Sequence, residues 1–446
     1  MATITKDKYE AVKQYFHQLF TSGEQSLNGH KDHPLYAIRK EAIEQLQGLS
    51  FPTRRDEDWK YTALTRVFAP EYQEGKLLEL SKEEVAPFRF EEEQPYTLVF
   101  INGQFSAEHS DIEGLPDKVS LMPVSGAMED ERFSELVKKQ LQTWYNDAGR
   151  TLVTLNTSFA RNGYFLNVPA NVVVERPIHF LYLQQQNGHD QMYNPQHLVI
   201  AGTSSQVNVI ETYHELSEPS KGISYGNVSS RYHVGANAQV GLYKLQQLSK
   251  ESFQTTNTEA IQEKDSVFSS YVVDLGGRLV RNNLSVWLKG QGTHTDMYGV
   301  YLADEDQHID NQSFMDHAFP HCDSNELYKG ILTDKAVGVF NGKVMVRQDA
   351  QKTNAFQQNS SLVLSDSAKM DSKPQLEIFA DDVKCSHGAT IGQLEEELLY
   401  YLRTRGLSKE KASTLLQIAF LAEVVEAFKV EGVRAMAQRL IEEKLS

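Results

Sequence analysis

Residues 375–390 read QLEIFADDVKCSHGAT. In an extended chain successive side chains alternate between faces, so Asp381, Val383, Cys385 and His387 fall on one side. Cys385 and His387 then stand next to each other. A thiolate beside an imidazole suits a soft or borderline metal: iron in a sulfide cluster, or zinc. Two donors do not close a coordination sphere, so a second chain, an exogenous thiol or inorganic sulfide has to complete it. The competing reading is a buried thiol beside a hydrogen-bonded surface histidine, and C-x-H alone does not decide between them.

A second concentration of metal-binding residue types comprises His308, Asp310, Asp316, His317, His321, Cys322 and Asp323. The i, i+4 spacing of His317 and His321 brings two imidazoles together only on a helix, and Pro320 opposes a helix there. Polar residues scattered over exposed turns fit the pattern better. Asp304, Glu305, Asp306 and Asp310 imitate the carboxylate row of β-helix enzymes that cleave polysaccharides. They cluster on one stretch of chain, however, rather than converging from successive coils. Walker A and H-E-x-x-H motifs are absent. The one G-x-S-x-G string, GISYG at 222–226, lies among strand-like segments with no helix after it, so it makes no nucleophile elbow. Gly290-Gln291-Gly292 lies between strand-like segments, with no helix to aim at a phosphate. The absence of a catalytic set favours a non-catalytic binding or scaffold protein.

Three regions must position these residues. Residues 1–160 read as helical-rich. Tyr9, Val12, Phe16, Leu19 and Phe20 recur at helical spacing after Thr5, a candidate N-cap. Pro34 opens a second helix carrying Leu35, Ile38, Ala42, Ile43 and Leu46. A strand is expected at TLVFI, followed by the Asn102-Gly103 turn, and a helix over 131–144. Residues 161–388 change to short β-branched and aromatic segments separated by Gly, Asn and Ser turns, without long helices between them. That excludes a doubly wound sheet. A weak repeat of small, polar and apolar residues recurs at 205–207, 238–240, 295–297 and 368–370. The first three copies follow Gly202, Gly235 and Gly292. Stacked coils of a β-helix account for such self-similarity. Residues 389–446 are helical again: one helix over 394–403, then one capped by Ser408 and running to about residue 445. Within 415–428, 11 of 14 residues are apolar or alanine, so this helix must be buried on several sides, on its own solenoid or on a partner.

Composition narrows the function classes. The chain has 446 residues, enough for two or three domains. Its 44 Lys and Arg against 60 Asp and Glu give a formal net charge of −16. That is the wrong sign for nucleic acid or anionic lipid, so neither is an expected partner. Two cysteines exclude a disulfide framework and a four-thiolate site within one chain. With no signal peptide and no apolar span of about 18 residues, a cytoplasmic protein with reduced thiols is expected.

Four segments carry a resemblance to a known family: PTRRDEDWKYT (52–62), HCDSNELYKGILTDKAVGVFNGKVMV (321–346), KPQLEIFADDVKCSHGATIGQLEEELLYYLRTRG (373–406) and AFLAEVVEAF (419–428). The chain resembles the SufB/SufD family, scaffold subunits of the SUF iron–sulfur cluster assembly system. The form C-S-H-G-A-T, and the lack of any cysteine before Cys322, resemble its SufD branch. The resemblance implies a mainly β protein: a right-handed parallel β-helix core flanked by N- and C-terminal helical domains. It implies a complex with a SufB paralogue and the SufC ABC ATPase, the β-helix subunits pairing through the ends of their solenoids. It implies that His387, with Cys385 nearby, binds the nascent cluster at the SufB interface, and that His387 is a metal ligand. The C-terminal helices are then expected to dock SufC, through Leu415, Leu416, Phe420, Leu421, Val424 and Phe428. No cluster is expected to stay on the isolated chain, which is instead expected to pair with itself. A reduced flavin is compatible with the complex, although no motif here places one. The alternatives left open are a β-helix carbohydrate-active enzyme and a SufB-like homodimeric scaffold.

Overall fold

The structure, a computed structural model, describes residues 6–26, 34–90, 93–145, 150–185, 188–216 and 222–446. It is mainly β, a solenoid of about 8 turns with helices at both ends. Thr5 lies outside the described residues.

The chain alternates between two parallel sheets, placing one strand in each per coil. One sheet includes Phe253–Gln262, Leu279–Leu288, His308–His317 and Val337–Val346; the other includes Val267–Asp274, His294–Ala303, Asp323–Leu332 and Asn354–Val363. Equivalent residues stack in register, as in Leu279, His308 and Val337. The period-2 alternation sends Leu284, Met297, Met315, Tyr328 and Val344 inward to a common core. Large and small side chains interlock there. Gly330 leaves room for the ring of Tyr301, its register partner, and Gly299 for that of Tyr328.

The turns between sheets explain the repeat, with a correction. Register makes Ser205, Ala238, Ser266, Thr293, Cys322 and Thr353 equivalent, each just before a strand and each buried. The third copy of the repeat is therefore Thr293, two residues before the position expected at Thr295. Ala368 belongs to the opposite corner, beside the edge strand Lys369–Ser372. The tight corners admit only small side chains, and Cys322 is one of them: its thiol donates to the carbonyls of Gly290 and Pro320 at 3.4 and 3.5 Å.

The two ends of the solenoid differ. At the first coils, Tyr96–Ile101 runs parallel to Ile178–Gln184 and antiparallel to Gln104–Asp111, while Ser120–Pro123 pairs antiparallel with Tyr164–Val168. The region before residue 160 thus supplies strands to the sheets as well as helices, among them Lys6–Ser26, Pro34–Gly48, Ser134–Tyr145 and Thr151–Phe159. At the last coil, Lys384–Gly392 ends one sheet, and Lys369–Ser372 and Gln375–Ile378 end the other.

Beyond it lie the helices Glu396–Thr404, Lys409–Val425 and Glu431–Leu445. Ser408 caps the second, its hydroxyl accepting from the Lys411 amide. The single helix expected from Ser408 onward is broken after Val425. The break lets both halves lie on the outer face of one sheet. It also wedges Phe428 against Tyr243 and Tyr271, with ring centroids 6.0 and 4.9 Å away. Among the described residues no helix is long and apolar enough to cross a membrane.

Candidate functional site

The last strand, Lys384–Gly392, places Cys385 and His387 on the inward face, in register with Ala355 and Gln357 of Asn354–Val363. In earlier coils an inward side chain is covered by the next coil. Here no further strand follows, so His387 is exposed and Cys385 only half-buried. Partial burial pushes the Cys385 thiol above its ordinary range. The extended geometry thus brings thiol and imidazole to the open mouth of the solenoid. Asp381 does not join them, because it falls in the bend before the strand. Among the described residues no three His, Cys, Asp or Glu side chains are gathered to hold a metal.

The rim around this pair is unpaired and partly apolar. Both sheets end here on free backbone edges, and Phe379 and Ile391 are 62% and 52% exposed. Free strand edges and exposed apolar side chains at a solenoid terminus call for a cap.

One coil below His387 is Gln357, and one coil below that is Glu326. Both are buried. The Gln357 amide Nε2 donates to Glu326 Oε2 at 2.7 Å. Burial pushes the Glu326 carboxyl from 4.5 up to about 7. A carboxyl raised in the folded state gives its full stability below the unfolded value and loses it as pH rises through about 7. The loss approaches roughly 3 kcal/mol when ionisation is complete. Urea unfolding of the wild type is therefore expected to weaken between about pH 5 and pH 8, and Glu326→Gln is expected to remove that component. Equal losses in the two proteins would contradict this. Nothing local in the sequence marks Glu326 or Gln357; only alignment by coil length, 31 residues here, would have found them.

The second cluster is dispersed and largely buried, which corrects the expectation of exposed turns. His308 bonds Thr62 Oγ1 at 2.8 Å, and His317, on the opposite face, bonds Ser324 Oγ at 2.9 Å. Asp316 takes a two-point contact from Arg347, both at 2.8 Å. Asp323 accepts from Asn354 Nδ2 at 2.6 Å. His321 sits exposed at positive φ in the turn. Their alternation along one strand and one corner keeps the two imidazoles apart. The acidic row is equally occupied. Asp304 pairs with Lys250 and Lys444, Glu305 with Lys250, Asp306 with Arg66 and Arg278, and Asp310 with Arg281. Glycoside hydrolysis needs one carboxyl kept protonated, and cation contacts favour the ionised form. Gly290 packs closely on the preceding coil: a Cβ there would stand 2.3 Å from the Lys264 amide nitrogen. It does not cradle a phosphate.

The C-terminal helices separate the six expected docking residues. Leu421, Val424 and Phe428 are buried against the chain's own sheet, which leaves them no surface for a partner. Leu416 and Phe420 are half-buried, and Lys329 Nζ lies over the Phe420 ring at 4.9 Å. Leu415 remains exposed. It is joined by Leu398, Tyr400 and Tyr401 of Glu396–Thr404, a helix none of whose residues is buried. Tyr400 is 70% exposed. A helix with three large apolar or aromatic side chains outside any core presents a contact surface.

Comparison with known proteins agrees with this architecture. The family model described as SUF system FeS cluster assembly, SufBD core domain, matches residues 182–420, and the SufBD protein N-terminal region matches residues 10–180. A Synechocystis protein described as an iron–sulfur cluster assembly SufBD family protein is 32% identical over 423 residues, covering 93% of this chain and 92% of its own. The iron–sulfur cluster assembly protein SufD of Escherichia coli is 27% identical over 416 residues, covering 90% and 91%. SufD of Bacillus subtilis is 28% identical over 416 residues, covering 92% and 93%.

Proposed function

The chain belongs to the SufBD family of SUF-system iron–sulfur cluster assembly proteins, of SufD type, and we propose that it is the subunit that completes a cluster-building interface with a SufB-type paralogue. The nascent cluster is cargo. His387 gives it one imidazole nitrogen, Cys385 stands by as a second donor, and the paralogue brings the remaining ligands. The observation that carries this reading is the open solenoid mouth. The two donors lie inward yet uncovered, inside a rim of unpaired strand edges with exposed Ile391 and Phe379.

The surface of Leu415, Leu398, Tyr400 and Tyr401 docks a SufC-type ABC ATPase. Nucleotide-driven closure of two such ATPases pulls on the C-terminal helices of both solenoid subunits and shifts their shared interface between two arrangements, exposing the ligands. Without the paralogue, the same open end accepts a second copy of this chain.

Co-expression of this chain with both partners tests the assignment. Ile391→Asp is expected to lose the paralogue from the purified complex and keep the ATPase. Tyr400→Asp is expected to do the reverse. Both substitutions fall on exposed side chains, so the fold should survive them. Variants that each retain both partners in wild-type ratio would refute the two surfaces.

A further inference from the structure

The column Glu326, Gln357, His387 ends in an unmet hydrogen-bond acceptor. Gln357 is 3% exposed, and its carbonyl Oε1 is buried without a partner. The Gln357 NH2 donates to Glu326 Oε2 at 2.7 Å, a contact that either protonation state of the carboxyl can accept, and this leaves the carbonyl turned away. The facing sheet leaves room for this pose, because a Cβ at Gly342 would stand 2.3 Å from Gln357 Nε2. A buried acceptor of this kind is normally satisfied. The next inward side chain along the column is His387, in register with Gln357. Its ring makes no hydrogen bond or ion pair to any described residue.

We propose that Gln357, held by Glu326, is the positioning residue for His387: Gln357 Oε1 accepts the imidazole N–H, so the other ring nitrogen, carrying a lone pair, is directed out of the solenoid mouth toward incoming iron. This rests on the reading of His387 as an iron ligand. It adds how that ligand's tautomer and orientation are set before the partner arrives. A ligand imidazole whose second nitrogen is hydrogen-bonded loses less freedom on binding and is the more basic donor.

The test uses the isolated full-length chain with 15N-labelled histidine. Long-range proton–nitrogen correlation spectra are recorded at a pH where the ring is neutral, with His387 assigned from the His387→Ala protein. The wild type is expected to show one dominant tautomer at His387. Gln357→Met, similar in length but without the carbonyl, is expected to show a mixture. Glu326→Gln, which still offers an acceptor to the Gln357 amide, is expected to keep the wild-type pattern. In the assembled complex, Gln357→Met should lower retained iron by about 10-fold or more, the range for loss of such a supporting contact. A free-imidazole mixture in the wild-type spectrum overturns the proposal, even if Gln357→Met does not fold. So does an unchanged tautomer in a folded Gln357→Met protein. The spectra need no cluster, so they decide this inference separately. If His387→Ala leaves the cluster intact, the ligand reading fails whatever tautomer the spectra show.

Discussion

A complex assembled with His387→Ala should retain at least about tenfold less iron and acid-labile sulfide than the wild type, since loss of even an outer partner of a metal ligand costs that much. The ring is exposed at the solenoid mouth, so its removal leaves no closed core cavity and should move the unfolding midpoint only slightly. That separation makes the result interpretable: cluster content falls steeply while stability changes little and subunit composition holds. Cys385→Ser should have a smaller effect. The thiol is half-buried and its ionisation is disfavoured, so recruiting it to iron costs an additional deprotonation. Equal iron and sulfide in the His387→Ala and wild-type complexes would remove His387 from the site.

Asp310→Ala should be the most destabilising single substitution among the polar residues described above, at about 3–5 kcal/mol. The side chains of Arg281 and Asp310 are 2% and 0% exposed, with Arg281 Nη1 2.5 Å from Asp310 Oδ2. The guanidinium lies over the Trp59 ring at 3.6 Å, and Thr62 donates to the same carboxylate. Removing the carboxylate therefore strands a buried charge and unties residues 52–62 from the solenoid face. A typical domain is stable by only about 5–15 kcal/mol, so the loss should be visible as a large fall in the urea midpoint. Asp306→Ala is the control. Its partners Arg66 and Arg278 are partly exposed, and such surface pairs contribute about 0–1 kcal/mol. Equal midpoint shifts for the two variants would contradict the buried network.

Much of this architecture is legible in local pattern. Alternation within short segments and turn residues between them point to stacked coils, and alternation alone puts Cys385 and His387 on one face. Position in the stack decides what local pattern cannot show. Thr293 and Thr295 look equally suitable for a corner, and only register shows which one occupies it. Phe428 reads as one more apolar helix residue, whereas two stacked tyrosines receive it where the helix breaks. His308, Asp316 and His317 read as surface polar residues because Thr62 and Arg347 come from other parts of the chain and Ser324 meets His317 only once the corner between them is turned. The strand Tyr96–Ile101 is readable as a strand, but its membership of the solenoid sheet depends on a partner some eighty residues later. Glu326 and Gln357 escape for the same reason, since a column along a solenoid is a contact between coils.

The most direct test of the central claim is a nitrogen-resolved electron–nuclear measurement on the assembled complex. The cluster is reduced to a paramagnetic state, and 15N-histidine is incorporated into this chain alone. A half-site that supplies one imidazole predicts a single strongly coupled 15N nucleus, lost in His387→Ala. A cluster-loaded complex with no coupled 15N from this chain would contradict it.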